Sequence, residues 1–248
     1  MKKFFRLSFQ IVAIIAIFLC LVFAFFYATM NEDVPSSETG PSAEDLAEKM
    51  LEAVNSEAWK RTNYISWNFP GGHQYVWDRK NNSVEVKWGE HVAILPTKNP
   101  TSGRAWVNGK EAKDSGLLNK AWEYFCNDSF WLAAPFKVKD PGTERSIVIN
   151  EDGSQSLMVH YNVGGQTLGD RYLWHLDANY IPSSYQMWVK IIPIGGFSAK
   201  WAGWKTLPNG AMVSTMHDLA GVFEISLEPV KAGDSLTDIG LDENYFTR

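Results

Sequence analysis

From Leu7 to about Met30 the chain is almost unbroken apolar sequence, interrupted only by Ser8, Gln10, Cys20 and Thr29, and Lys2, Lys3 and Arg6 stand in front of it. About 20 apolar residues are enough for a helix to cross a bilayer, and more than a signal-peptide core usually needs. Basic residues before the run stay on the cytoplasmic side. Residues 1–30 therefore read as a transmembrane signal-anchor, with everything after Asn31 outside the cytoplasm, on the periplasmic side. Cleavage would instead leave a secreted or periplasmic domain. The nearest small-residue site ends at Ala24 and would put Phe25, Phe26 and Tyr27 on the new terminus; Cys20 follows bulky Phe18 and Leu19, a poor context for lipid attachment.

The pattern then turns polar. NEDVPSSETGPS, residues 31–42, has nothing to bury and reads as a flexible linker. Ser42-Ala43-Glu44-Asp45 has the form of a helix N-cap box, and Leu46, Met50, Leu51 and Val54 follow at helical spacing. From Tyr64 onward, short apolar runs alternate with turn signals, which predicts a meandering antiparallel sheet. Strands are expected at 91–95, 103–107, 145–150, 155–162, 170–177, 183–192, 196–207 and 221–229. A hairpin at Asn81-Asn82 would pair Trp77 with Val86 and Tyr75 with Trp88. It puts Tyr75, Trp77, Val84, Val86 and Trp88 on one face and Gln74, Val76, Asp78, Glu85 and Lys87 on the other. A second at Asn209-Gly210 would pair Leu207 with Met212 and Thr206 with Val213. One further helix starts near Ser115, shows Leu118, Ala121, Trp122 and Phe125 on one face, and is expected to end around Asn127-Asp128. Roughly a dozen strands without βαβ alternation give a mainly β, α+β chain: a curved sheet whose concave side is filled by helices.

Charge and cysteine content narrow the function. The chain carries −5 and its first 30 residues +3, leaving −8 outside the membrane, the wrong sign for a nucleic-acid binder. Cys126 is the single cysteine outside the anchor, so no disulfide closes within the domain, and in its apolar surroundings it reads as a small buried hydrophobe.

The motif search is mostly silent. No phosphate loop, dinucleotide fingerprint, HExxH, CxxC or GxSxG occurs, so no cofactor is expected. A hairpin centred near Gly165 would set Arg171 opposite His160 and His175 about 13 Å away, too far for a shared metal. His73 and His217 read as surface or hydrogen-bonded core histidines. Asp128, in EYFCNDSFWLAAPF, is either a carboxylic acid made weak by an apolar pocket or an anchor for the helix end; the second reading gives Asn127 and Asp128 a structural role. The aromatic residues, 14% of the chain with 11 tryptophans, carry the stronger signal. They build a core, and some of them can line a cleft for an apolar ligand: Tyr75, Trp77, Trp88, Trp106, Trp122, Phe125, Phe130, Trp131, Trp174 and Met187 are the candidates.

The strings NDSFWLAAPFKVKDPG, IPIGG and WAGWKTLPNGAMVSTMH resemble those of a LolA-like group of envelope proteins within the LolA/LolB lipoprotein-carrier superfamily. The resemblance spans most of residues 43–230 and implies an incompletely closed antiparallel half-barrel with helices lidding its concave face, acyl chains bound between sheet and lid, and no catalysis. Domain 43–248 is then an extracytoplasmic LolA-like unit. The superfamily's functional arginine is not carried over, because Arg79, Arg104, Arg145 and Arg171 share no distinguishing motif. The anchor argues against long-range shuttling. The expected function is a membrane-anchored binding protein for a lipid or lipoprotein acyl chain. The alternatives are an envelope protein-interaction module with a filled core and an unknown protein partner, or a hydrolase using Asp128 or a histidine.

Overall fold

The computed structural model describes residues 2–163 and 168–247. α1 (Lys2–Met30) contains a 21-residue stretch, Gln10–Met30, long and apolar enough to cross a membrane, and that stretch contributes no buried side chain to the rest of the protein. The domain that follows therefore completes its core without it. α2 (Pro41–Ala53) begins one residue before the expected Ser42 cap. Proline fits the first helical turn because its missing N–H has no intrahelical partner there, and Gly40 rather than a side chain occupies the cap position. Asn55 caps the short α3 (Ser56–Arg61) through its side-chain oxygen.

The first sheet follows as a meander: β1 (Tyr64–Phe69), β2 (His73–Asp78), β3 (Ser83–Trp88), β4 (His91–Pro96), β5 (Arg104–Val107) and β6 (Lys110–Ala112). α4 (Ser115–Ala133) leads to the second: β7 (Thr143–Ile149), β8 (Gln155–Tyr161), β9 (Arg171–Leu176), β10 (Pro182–Trp188) and β11 (Phe197–Ala202). A two-stranded excursion, β12 (Lys205–Thr206) and β13 (Met212–Val213), precedes β14 (Met216–Leu219) and β15 (Phe223–Ser226). β16 (Lys231–Gly233) then returns to pair with β1. The sheet orders are β16-β1-β2-β3-β4-β5-β6 and β15-β14-β11-β10-β9-β8-β7. They meet where the chain steps from β15 to β16 and Asn68 N donates to Leu227 O (3.3 Å). The other edges, β6 and β7, stay unclosed and are joined in sequence by α4, which packs against the inner faces of both sheets through Phe125, Leu132 and Trp131.

Two registers differ from expectation for one reason, the length of the turn. The β2–β3 turn uses four residues, 79–82, so Trp77 faces Val84 and Tyr75 faces Val86. A slip of two preserves the alternation, and Tyr75, Trp77, Val84 and Val86 still share the inner face. The turn at Asn209-Gly210 has three residues, closed by Leu207 N to Ala211 O (2.7 Å), and pairs Thr206 with Met212. That slip is of one residue and moves each partner to the opposite face. His160 does face Arg171; the hairpin centre expected near Gly165 lies outside the described residues. Nor is the outer face of the first sheet simply polar: Val76 and Tyr64 are covered by Leu236, Ile239 and Tyr245 from the C-terminal segment, and the Tyr245 hydroxyl donates to the buried Glu85.

Residues 31–38, expected as a free linker, are strapped across the outer face of the second sheet. Gly195 N donates to Asn31 Oδ1 (2.8 Å), Glu32 N to Gly195 O (3.0 Å), Trp188 Nε1 to Glu32 O (2.8 Å) and Gln186 Nε2 to Glu32 Oε2 (2.8 Å). Six residues on, Glu38 exchanges both backbone hydrogen bonds with Ile147 (2.9 and 2.8 Å), and Ser146 donates to Ser37 (2.8 Å). These attachments lie on β10 and β7, with β9 and β8 between them, on the side that carries Val148, Met158 and Leu173. Gly195 is required by this approach, since a Cβ there would sit 2.6 Å from Glu32 O.

Candidate functional site

α4 runs on past Asn127-Asp128 to Ala133 because its core-facing stripe does: Leu118, Ala121, Phe125, Asp128 and Leu132 recur at three- and four-residue spacing, with Asp128 as the polar member between Phe125 and Leu132. Asp128 is thus a helix-interior residue facing the first sheet. The helix-end role expected for Asn127 and Asp128 is corrected accordingly. Its buried carboxylate accepts hydrogen bonds from the Tyr75 hydroxyl (2.5 Å) and His73 Nδ1 (2.7 Å), with the Tyr124 ring 4.0 Å from that of His73. Burial pushes the Asp128 pKa up, and the Tyr75 and His73 contacts pull against it without cancelling it. Tyr75 is pushed far up by the same burial and by the adjoining carboxylate, so its hydroxyl stays protonated and donates.

This cluster pins helix to sheet. Asp128→Leu, which orphans both partners, is expected to destabilise the domain by about 1–3 kcal/mol in urea unfolding, and adding Tyr75→Phe should recover part of that loss. A recovery of nothing would mean that the tyrosine hydroxyl was not left unsatisfied.

α4 also borders a half-open cleft of about 620 Å³, closed on its other sides by the inner face of the second sheet and by Trp77 of the first. Of the residues expected in such a cleft, Trp77, Trp122, Phe125, Phe130, Trp131 and Met187 line it. Four do not. Tyr75 is buried in the Asp128 cluster, and Trp88 packs against Tyr124 and His91. Trp106 lies on the outer face beside Arg104, and Trp174 is fully buried against Tyr185 and Trp201. The lining residues that sequence reasoning missed include Tyr161, Tyr172, Tyr185, Val189, Ile191 and Leu219, together with Cys126, Asn127 and Ser129 on the helix. The strand residues among them alternate inward on β8–β10 and could have been found by carrying the face analysis made for β2–β3 into the second sheet.

The cleft is mainly apolar, with tyrosine rings and the Asp170, Asp140 and Lys137 side chains among its lining. The hydroxyls of Tyr161 and Tyr185 are buried with no hydrogen-bond partner, and burial drives both pKa values well up, so they remain protonated. The Tyr172 hydroxyl reaches Asp170 (3.5 Å). Lys137 and Asp140 also border the cleft but form an ion pair with each other, which leaves no net charge there from this pair. The volume falls within the usual range for small-molecule sites, and the sparse donors suit orientation of a ligand rather than bond-making. Asp128 does not reach the cleft, although its neighbours Asn127 and Ser129 do.

No protein-family model matches the chain, and no curated protein matches it. Among solved structures it is similar to a putative outer membrane lipoprotein-sorting protein domain from Vibrio parahaemolyticus, with 8% identity over 81% of this chain and 97% of that one, at a TM-score of 0.38. It is also similar to a DUF1329 family protein from Desulfovibrio piger, with 10% identity over 84% of this chain and 97% of that one, at a TM-score of 0.43. These likenesses are loose. The first structure is named for the class of protein the sequence resembles, but scores this low carry no argument about what this chain binds.

The histidines are dispersed. His175 Nδ1 lies 2.8 Å from Ser156 Oγ, and His160 lies 3.9 Å from Glu144, both on the outer face of the second sheet. Burial and the Arg171 charge lower the His160 pKa. His217 is buried beside Trp131 and Trp201. Among the described residues no group of three His, Cys, Asp or Glu is arranged to hold a metal ion. Cys126 is half-buried at the cleft rather than packed away.

Proposed function

We propose that this chain is a membrane-anchored, extracytoplasmic binding protein whose cleft between α4 and the second sheet holds an apolar chain, such as a lipid or lipoprotein acyl group, without catalysis. The observation that carries this reading is the cleft of about 620 Å³ whose wall is built from Trp77, Phe130, Trp131, Tyr172, Tyr185 and Met187. Each buried CH₂ contributes about 0.8 kcal/mol, so one acyl chain gains useful affinity with no charged recognition group. The compact acid-histidine cluster of Asp128 with His73 and Tyr75 is covered by α4 and Tyr124 and lies outside the cleft, which favours a structural role over hydrolysis.

The test uses residues 31–248, whose core is complete without α1. Native mass spectrometry should find co-purifying lipid, and a fluorescent fatty acid should bind saturably. Ser129→Trp, which places an indole on the cleft side of α4, should weaken that binding at least about tenfold, or 1.4 kcal/mol, at an unchanged melting temperature. Neither lipid nor probe bound by a folded domain would sink the reading.

A further inference from the structure

Outside α1, five of the nine large apolar side chains left exposed among the described residues lie at one end of the second sheet. Val163 and Leu168 are 54% and 53% exposed on the β8–β9 connection, Ile191 is 71% exposed on the β10–β11 connection, and Val222 and Phe223 are 88% and 54% exposed at the β14–β15 turn. The registers place all three connections together. Trp188 pairs with Arg171, Met187 with Phe197, Ala199 with Leu219, and Leu219 with Phe223, so each pairing lies at the same end of its strands. That end is also where the chain emerges from α1. The helix ends at Met30, and the next two residues, Asn31 and Glu32, are hydrogen-bonded to Gly195 in the β10–β11 connection. There is no slack between the two: an apolar helix of membrane-spanning length leads within two residues to the loop that carries Ile191. Val163, Ile191, Ile192 and Leu219 belong at once to this end of the sheet and to the cleft wall.

We propose that Val163, Leu168, Ile191, Val222 and Phe223 form a rim seated in the surface of the bilayer that α1 crosses, with the mouth of the cleft facing that leaflet. A cluster of exposed apolar side chains on a domain this close to lipid marks a membrane contact, and apolar side chains buried at the headgroup boundary hold a domain there without spanning. The strap acts as a short rigid connection that fixes which end of the domain faces down. A ligand then passes sideways from leaflet to cleft without crossing water. The last step rests on the binding reading above; the seating of the rim does not.

Photo-crosslinking of the full chain in phosphatidylethanolamine/phosphatidylglycerol nanodiscs tests the seating. Val222 and Leu168 are each replaced by p-benzoylphenylalanine, with Ile149 and Tyr180, exposed at the opposite end of the sheet, as comparison sites. Neither Val222 nor Leu168 lines the cleft, so lipid held in the cleft does not account for adducts there. Lipid adducts at the two rim positions are expected to exceed those at the comparison sites at least about tenfold, the contrast between an end immersed in the interface and one in water. Equal yields at both ends overturn the proposal. Hydrogen exchange on the unsubstituted chain gives an independent reading: residues 189–193 and 219–223 should exchange more slowly in nanodiscs than in the lipid-free 31–248 domain, and identical rates would also overturn it. Failure of the fatty-acid probe to bind, with rim adducts intact, removes the cleft reading alone and leaves the seating standing.

Discussion

Trp174→Ala is expected to destabilise the external domain by about 3–5 kcal/mol, the usual cost of emptying a large aromatic site in a packed core. The indole is fully buried, edge-on to Tyr185 at 5.1 Å and to Trp201 at 5.0 Å between ring centroids. Those two rings also pack on Trp131 from α4, so the void would open where helix and sheet meet. Trp174→Phe should cost far less. It gives up part of the ring but also removes an indole N–H that is buried without an acceptor, and an unsatisfied buried donor is itself unfavourable by about 1–3 kcal/mol. Urea unfolding of residues 31–248 measures both. Equal losses for Ala and Phe would mean that ring volume is not what holds this part of the core.

The second large effect is a dependence on pH through His217. Its side chain is 1% exposed and lies against Trp131 and Trp201; burial depresses its pKa to about 3, against a smaller opposing contact with the Trp131 backbone. An unfolded histidine titrates near 6.5. Between these values the unfolded chain binds a proton that the folded one refuses, so stability rises with pH across that window. The contribution of neutral His217 is complete above about 6.5 and is lost progressively as the pH falls toward 3. At pH 5 the loss should be about 2 kcal/mol relative to pH 7.5. His217→Leu removes the titration, so its stability should fall less than that of the unsubstituted domain over the same interval. Parallel profiles for the two proteins would show that the imidazole is not held neutral by the fold.

Both predictions concern residues whose importance is invisible locally. Trp174 and Met187 looked alike as cleft candidates, yet one lies under the cleft wall and the other is part of it. The difference depends on how Tyr185 and Trp201, one and two strands away, stack over the indole. His217 sits in a short strand between β11 and β15, and its burial is set by a helix some 85 residues earlier in the chain. Asp128 is an intermediate case. Its place on the stripe of Leu118, Ala121, Phe125 and Leu132 was legible from spacing, and a carboxyl on a core-facing stripe implies buried partners. That the partners are Tyr75 and His73 was not legible.

What the sequence by itself determined is whatever repeats over a few residues: the apolar helix at the front, the amphipathic stripes of α2 and α4, the alternation that puts Tyr75, Trp77, Val84 and Val86 on one face, and the antiparallel, mainly β character of the whole. Side-chain direction has a period of 3.6 in a helix and 2 in a strand, so such features survive even a register slip of two. Only the tertiary structure decided turn lengths, the strapping of residues 31–38 to β10 and β7, and which rings close the core or border open space. Those outcomes depend on packing between segments far apart in the chain, where no local period carries information. The cleft belongs to this second class: its wall joins Trp77 of the first sheet and α4 to strands reached only after the helix has crossed from one sheet to the other.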